Sequence, residues 1–119
     1  MKNNESTRAY STNHENNVCS ALSAVRQPNS GAGHWRKGDV VLKKASMLIE
    51  CKCSMGIKSS FSIKKEWLDK LSEEKWTQRL SHSALCFNFE PDGDNYYIIN
   101  ETMMQFLVSK LCELDNDLI

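Results

Sequence analysis

The chain has 119 residues, 40% hydrophobic and 25% charged, which suits one soluble domain with one core and leaves little room for a second. No apolar stretch approaches the roughly 20 residues of a membrane helix, and the polar start lacks the apolar centre of a signal peptide, so a cytoplasmic protein without a membrane partner is expected. The charges cancel at 15 against 15, yet residues 26–75 hold 11 Lys/Arg against 6 Asp/Glu and residues 76–119 hold 2 against 7; a polyanion would prefer the middle of the chain, although solvated surface accounts for such a split as well.

Residues 1–12 are polar and read as a flexible N-terminal segment. Val18, Cys19, Leu22 and Val25 recur at helical spacing, which predicts a helix from Asn13, the capping residue, to Val25. Pro28, Asn29, Ser30, Gly31 and Gly33 mark a loop. Two short apolar runs follow, Asp39 to Leu42 and Met47 to Lys52, separated by "KKAS"; their length and β-branched content favour strands. From Ser62, the candidate cap, to about Leu80 the period returns to helical, with Ile63, Trp67, Leu68, Leu71 and Leu80 on one face. "ALCFNF" from Ala84 reads as a buried strand, "EPDGDN" as a turn and "YYIIN" as the returning strand. Asn100 caps a last helix with Met104, Leu107, Val108 and Leu111 as its buried stripe, and residues 114–119 read as a flexible acidic tail. The domain proper is therefore residues 13–113.

The five cysteines, Cys19, Cys51, Cys53, Cys86 and Cys112, are odd in number and lie in apolar contexts, which suggests reduced thiols. Cys51 and Cys53 form a C-x-C without a second ligand pair at finger spacing, so buried small hydrophobes are preferred to structural zinc.

A four-residue connection would set Leu42 opposite Met47 and, continuing down the hairpin, Asp39 opposite Glu50. Opposed strand residues have Cβ atoms roughly 4.5–5.5 Å apart, within reach of one shared metal ion. Alternation brings Lys52 out on the side of Glu50 and turns Cys51 and Cys53 away. Two adjacent carboxylates need a raised pKa or a cation, and two acids, a cation and a lysine are what phosphodiester hydrolysis requires. The plain alternative is a surface hairpin end with a Lys52–Glu50 charge pair.

"KGDVVL", ten intervening residues and "LIECKCS" resemble the PD-(D/E)XK nuclease motif, with Gly38 where that family often has proline. "QPNSGAG" upstream and "KSSFSIKKEWLDKL" downstream resemble segments of archaeal-type and phage Holliday junction resolvases, and the similarity runs from about His14 to Asn100. The resemblance implies a restriction-endonuclease-like α/β domain, with a central mixed β-sheet flanked by helices. It implies Asp39 and Glu50 as ligands of Mg²⁺, with Mn²⁺ as a substitute, Lys52 as the catalytic lysine and Glu15 as an additional acid and ligand. Glu15 also lies three and seven residues before Val18 and Leu22, so helical geometry turns it inward; the alternative is a solvated glutamate near a helix start.

Ser30 matches a loop serine of that family that contacts DNA or assists at the site, with a turn residue as the alternative. Lys37, Lys58, Lys64 and Lys65 flank the site and are candidate phosphate contacts. His14 and His34 read as exposed loop histidines without a role, and Trp67 as core in preference to a base-stacking platform. The implied activity is a structure-selective DNA endonuclease of the Holliday junction resolvase type, working as a homodimer in a bacterial or phage-infected cell. The alternatives are a nuclease for other DNA structures and a nucleic-acid-binding module of the same fold without chemistry.

Overall fold

The computed structural model describes residues 4–27 and 39–118. In chain order these form α1 (Asn4–Leu22), β1 (Val25–Arg26), β2 (Val40–Leu42), a 3-10 turn (Lys43–Ala45), β3 (Met47–Lys52), α2 (Lys65–Thr77), β4 (His82–Phe87), β5 (Tyr96–Ile98) and α3 (Glu101–Leu118). The strands make one five-stranded mixed sheet in sequential order, flanked by the three helices. Every neighbouring pair is antiparallel except β3 and β4. Those two are joined across the sheet by α2, because parallel neighbours cannot be linked by a tight turn.

Strand alternation divides the core in two. Val40, Ile49, Ala84 and Cys86 face α1 and meet Val18, while Val41, Leu48 and Leu85 face α2 and meet Leu71. Full burial of each such aliphatic side chain contributes about 2 kcal/mol, so the central pair β3–β4, buried on both faces, holds the layers together. The hairpin register is the expected one: Leu42 pairs with Met47, Val41 with Leu48 and Val40 with Ile49. Ser46 closes the connection in the left-handed region, φ 52°, and its carbonyl receives the N–H groups of Ser81 and His82 at the start of β4.

Several boundaries depart from the sequence reading. Helix α1 begins at Asn4, so Asn13 is mid-helix and caps nothing; residues 4–12 contain neither glycine nor proline to break the helix, and Ser11 Oγ approaches Cys53 Sγ at 3.9 Å. The helix stops at Leu22, where Ser23 turns left-handed, and Val25 belongs to the unforeseen strand β1, which exists only through pairing with β2. Helix α2 starts after Lys64, whose extended backbone displaces the expected cap at Ser62. It ends before Leu80, where left-handed Arg79 lets the Leu80 N–H return to the Lys75 carbonyl.

Asn100 does cap α3, its Oδ1 accepting the Met103 N–H at 2.9 Å. The helix then continues to Leu118, through the segment expected to fray. Its expected buried stripe is exposed: of the α3 side chains described, only Met103 is buried.

Candidate active site

The site is built where β2 begins and β3 ends. Asp39 precedes β2, and the ladder stops one pair short of the expected Asp39–Glu50 pairing. The Asp39 N–H instead donates to the Ile49 carbonyl at 3.1 Å, its carbonyl accepts the Gln27 N–H at 3.0 Å, and its Oδ2 accepts the Cys51 N–H at 2.8 Å. Two backbone hydrogen bonds to two neighbouring segments fix the residue, and the Cys51 amide holds its carboxylate through Oδ2. The side chain thus reaches past Glu50 to satisfy a strand amide that the broken ladder would orphan.

Glu50 lies on the α2 side of β3, as alternation requires, with Lys52 beyond it. Lys52 Nζ is 3.5 Å from Glu50 Oε2 and 4.6 Å from the centroid of the Trp67 ring on α2. Stacked over an aromatic face and paired with a carboxylate, the ammonium is fixed from two sides. Lys64 Nζ approaches the same ring at 5.8 Å, so the start of α2 brings a second cation beside the site.

The electrostatics are strained. Burial pushes the Glu50 carboxyl up to about 7, and the neighbouring Asp39 adds to the shift while Lys52 opposes it. Asp39 is also raised, chiefly by burial, against the Cys51 amide and Lys52, which favour its charged form. Two partly desolvated acids, one of them raised further by the other, form the environment a divalent cation relieves. The donor chemistry fits a hard cation, with carboxylate oxygens from Asp39 and Glu50.

Glu15 does face inward, buried on α1 within electrostatic reach of Asp39, and its carboxyl is raised by burial and by Asp39. Its Oε1, however, accepts Arg26 Nε of β1 at 2.9 Å, so the candidate third acid is held in an ion pair. Among the described residues, no group of three or more His, Cys, Asp and Glu side chains is arranged to hold a metal ion.

Of the remaining candidates, Lys58 is exposed in the loop after β3, and Lys65 is exposed at the start of α2, its Nζ 3.0 Å from Asp69. Ser30 and Lys37 lie outside the described residues.

His14 corrects the sequence reading most sharply. It is neither exposed nor in a loop: it sits on α1, 4% exposed, with Nε2 2.8 Å from Asn95 Oδ1 and 3.6 Å from Cys86 Sγ. Its Nδ1 is buried without a hydrogen-bond partner among the described residues. The signal was available, since His14 lies four residues before Val18 on the same helix face. Trp67 was placed in the core, and it does pack beside Leu71, but its ring also carries Lys52. Arg26 was missed because nothing in a two-residue strand announces itself.

Cys51 faces Cys86 across β3 and β4 on the α1 side, opposite Glu50 and Lys52 as alternation requires, yet within electrostatic reach of Asp39 and Glu15. Their hydrogen bond pushes the Cys51 thiol up and the Cys86 thiol down.

No protein-family model, no curated protein and no solved structure matches the chain.

Proposed function

We propose that the protein is a divalent-cation-dependent DNA endonuclease of the PD-(D/E)XK type, with a restriction-endonuclease-like domain. The observation that carries this reading is the convergence of Asp39, Glu50 and Lys52 on one end of the β2–β3 hairpin, with Asp39 locked by the Cys51 amide and Lys52 by Glu50 and Trp67. Asp39 and Glu50 would hold Mg²⁺ or Mn²⁺, which would supply positive charge to the scissile phosphate and acidify a water. Asp39 contributes a carboxylate already oriented, so little ordering remains to be done on binding. Glu50 must be ionised for the role, and Lys52 favours that ionised form. The Lys52 ammonium, held near the acids, would orient the attacking water or stabilise charge that grows on the phosphate oxygens. In-line attack would leave a 5′-phosphate and a 3′-hydroxyl.

Lys64, beside Lys52 over Trp67, is the best placed of the lysines for a backbone phosphate contact, with Lys58 and Lys65 further out. The substrate we propose is branched DNA, the four-way junction first, whose resolution needs two matched cuts and therefore two copies of a one-site chain. A second reading, a nucleic-acid-binding module without chemistry, is favoured by one observation: Arg26 occupies Glu15, leaving two acids where a third ligand was expected.

The test is cleavage of a labelled four-way junction beside flap and linear duplex, with Mg²⁺ or with EDTA. Metal-dependent cleavage that is lost in Asp39→Asn, with junction binding retained, supports the nuclease. Binding without cleavage on every structure transfers the proposal to the binding module. Preference for a flap over the junction would keep the chemistry and remove the resolvase.

A further inference from the structure

Helix α3 carries an apolar seam that its own domain leaves uncovered. Met104, Leu107, Leu111 and Leu114 follow one another at spacings of three, four and three, the a and d positions of a heptad, and Val108 widens the stripe. Met104 is 54% exposed, Leu111 61% and Leu114 58%, with Leu107 and Val108 close behind. The helix meets the body elsewhere: Met103 is buried, and the Phe106 ring stacks on His82 with centroids 6.2 Å apart. At about 100° per residue, that contact lies roughly a quarter-turn from the centre of the seam. An 18-residue helix is about 27 Å long, and a run of exposed apolar side chains along one of its faces is the kind of surface that marks an interaction site.

The flanking charges identify the occupant. Lys110, 3.6 Å from Glu113 on its own helix, falls at the g position and Asp115 at the e position of the next heptad, which are the residues that meet between the two helices of a parallel, in-register pair. Symmetry forms that contact twice. The fully overlapped antiparallel arrangement would set Lys110 against Lys110. Glu101, Glu113, Asp115 and Asp117 outnumber the one lysine, so the helix is repelled by DNA and by anionic lipid surfaces. A lone coiled coil of this length would be marginal, but α3 is already capped by Asn100 and anchored at Met103, so its nucleation cost is met inside the domain.

We infer that α3 is a self-association helix, which pairs in parallel with α3 of a second copy of this chain. The pairing sets two domains side by side at the helix starts, an arrangement suited to paired incision. It is carried by α3 alone and does not rest on the nuclease reading.

Light scattering behind size exclusion, from about 1 to 100 µM protein, should give twice the 13.6 kDa chain mass. The double variant Leu107→Glu with Leu111→Glu should give 13.6 kDa with an unchanged near-ultraviolet spectrum, because both residues are exposed in the single chain. Lys110→Asp should weaken association by roughly tenfold, and adding Asp115→Lys to the same chain should restore it, as parallel pairing requires. Asp39→Asn should still dimerise, which separates this inference from the fate of the active site. A wild-type chain that stays at 13.6 kDa throughout the range overturns the proposal. So does a double-glutamate variant that remains dimeric, which would place the interface elsewhere.

Discussion

The end of the β2–β3 hairpin and helix α3 break the usual partition of residues in opposite ways. The hairpin end draws Asp39 and Glu50 partly out of water, where burial raises both pKa values and the neighbouring Asp39 raises that of Glu50 further. Helix α3 leaves leucines, a valine and a methionine in water along its length. Neither arrangement benefits the isolated chain: the first costs electrostatic free energy and the second forgoes hydrophobic burial. Each becomes favourable when something is added, a cation in one case and a second copy in the other. The contrast teaches that sites on this domain are found where the folded chain alone is least satisfied.

The largest expected effect breaks the hairpin end. Asp39→Asn, Glu50→Gln and Lys52→Ala should each lower cleavage by at least about 10²-fold in single-turnover assays, with junction affinity preserved or tightened as negative charge near DNA is lost. Wild-type rates in any of the three would remove that residue from the site.

A smaller effect concerns pH. The Glu50 carboxyl is raised above its unfolded value, so its protonated form stabilises the fold; that contribution is complete below about pH 4.5 and is lost as pH rises through about 7. Cation binding needs the opposite, ionised form, so metal-dependent cleavage should climb as pH rises through about 7, while the metal-free protein becomes less stable over the same window. A rate profile flat from pH 6 to 8 would contradict the assignment of Glu50.

Trp67→Leu sharpens the comparison further, because it keeps apolar bulk in the α2 layer and removes the ring under Lys52. Cleavage should fall by roughly fivefold, in keeping with a cation–π contact worth about 1 kcal/mol, and DNA binding should change little. The smallest effect is expected at Cys53→Ser, which should leave Mg²⁺-dependent activity within about tenfold. Loss of stoichiometric zinc together with activity in that variant would instead revive the C-x-C reading.

The hairpin was legible in the sequence because its information is local. A four-residue connection and alternation of Val40, Val41, Leu48 and Ile49 specify the register, and the register puts Glu50 and Lys52 on one face. The same reasoning placed Asp39 one step too regularly, since no pattern of residue types announces that a side chain will replace a strand acceptor for the Cys51 amide. Glu15 was correctly turned inward by helical spacing, but its partner Arg26 comes from a strand that exists only through pairing with β2. Helix α3 shows the converse limit. Its stripe was visible as a period, yet periodicity tells which face is apolar and not what covers it, so burial in the core was the wrong inference from a correct pattern.

The central claim is that the acids straining the hairpin end are the ones that serve the cation. It is tested most directly by chemical denaturation of wild type and Glu50→Gln at pH 8, each with and without Mg²⁺. Without metal, Glu50→Gln should be the more stable protein, because the substitution removes a buried charge repelled by Asp39, and Mg²⁺ should stabilise wild type while leaving the variant unchanged. A Glu50→Gln protein less stable than wild type without metal, or an equal response of both to Mg²⁺, would contradict the account.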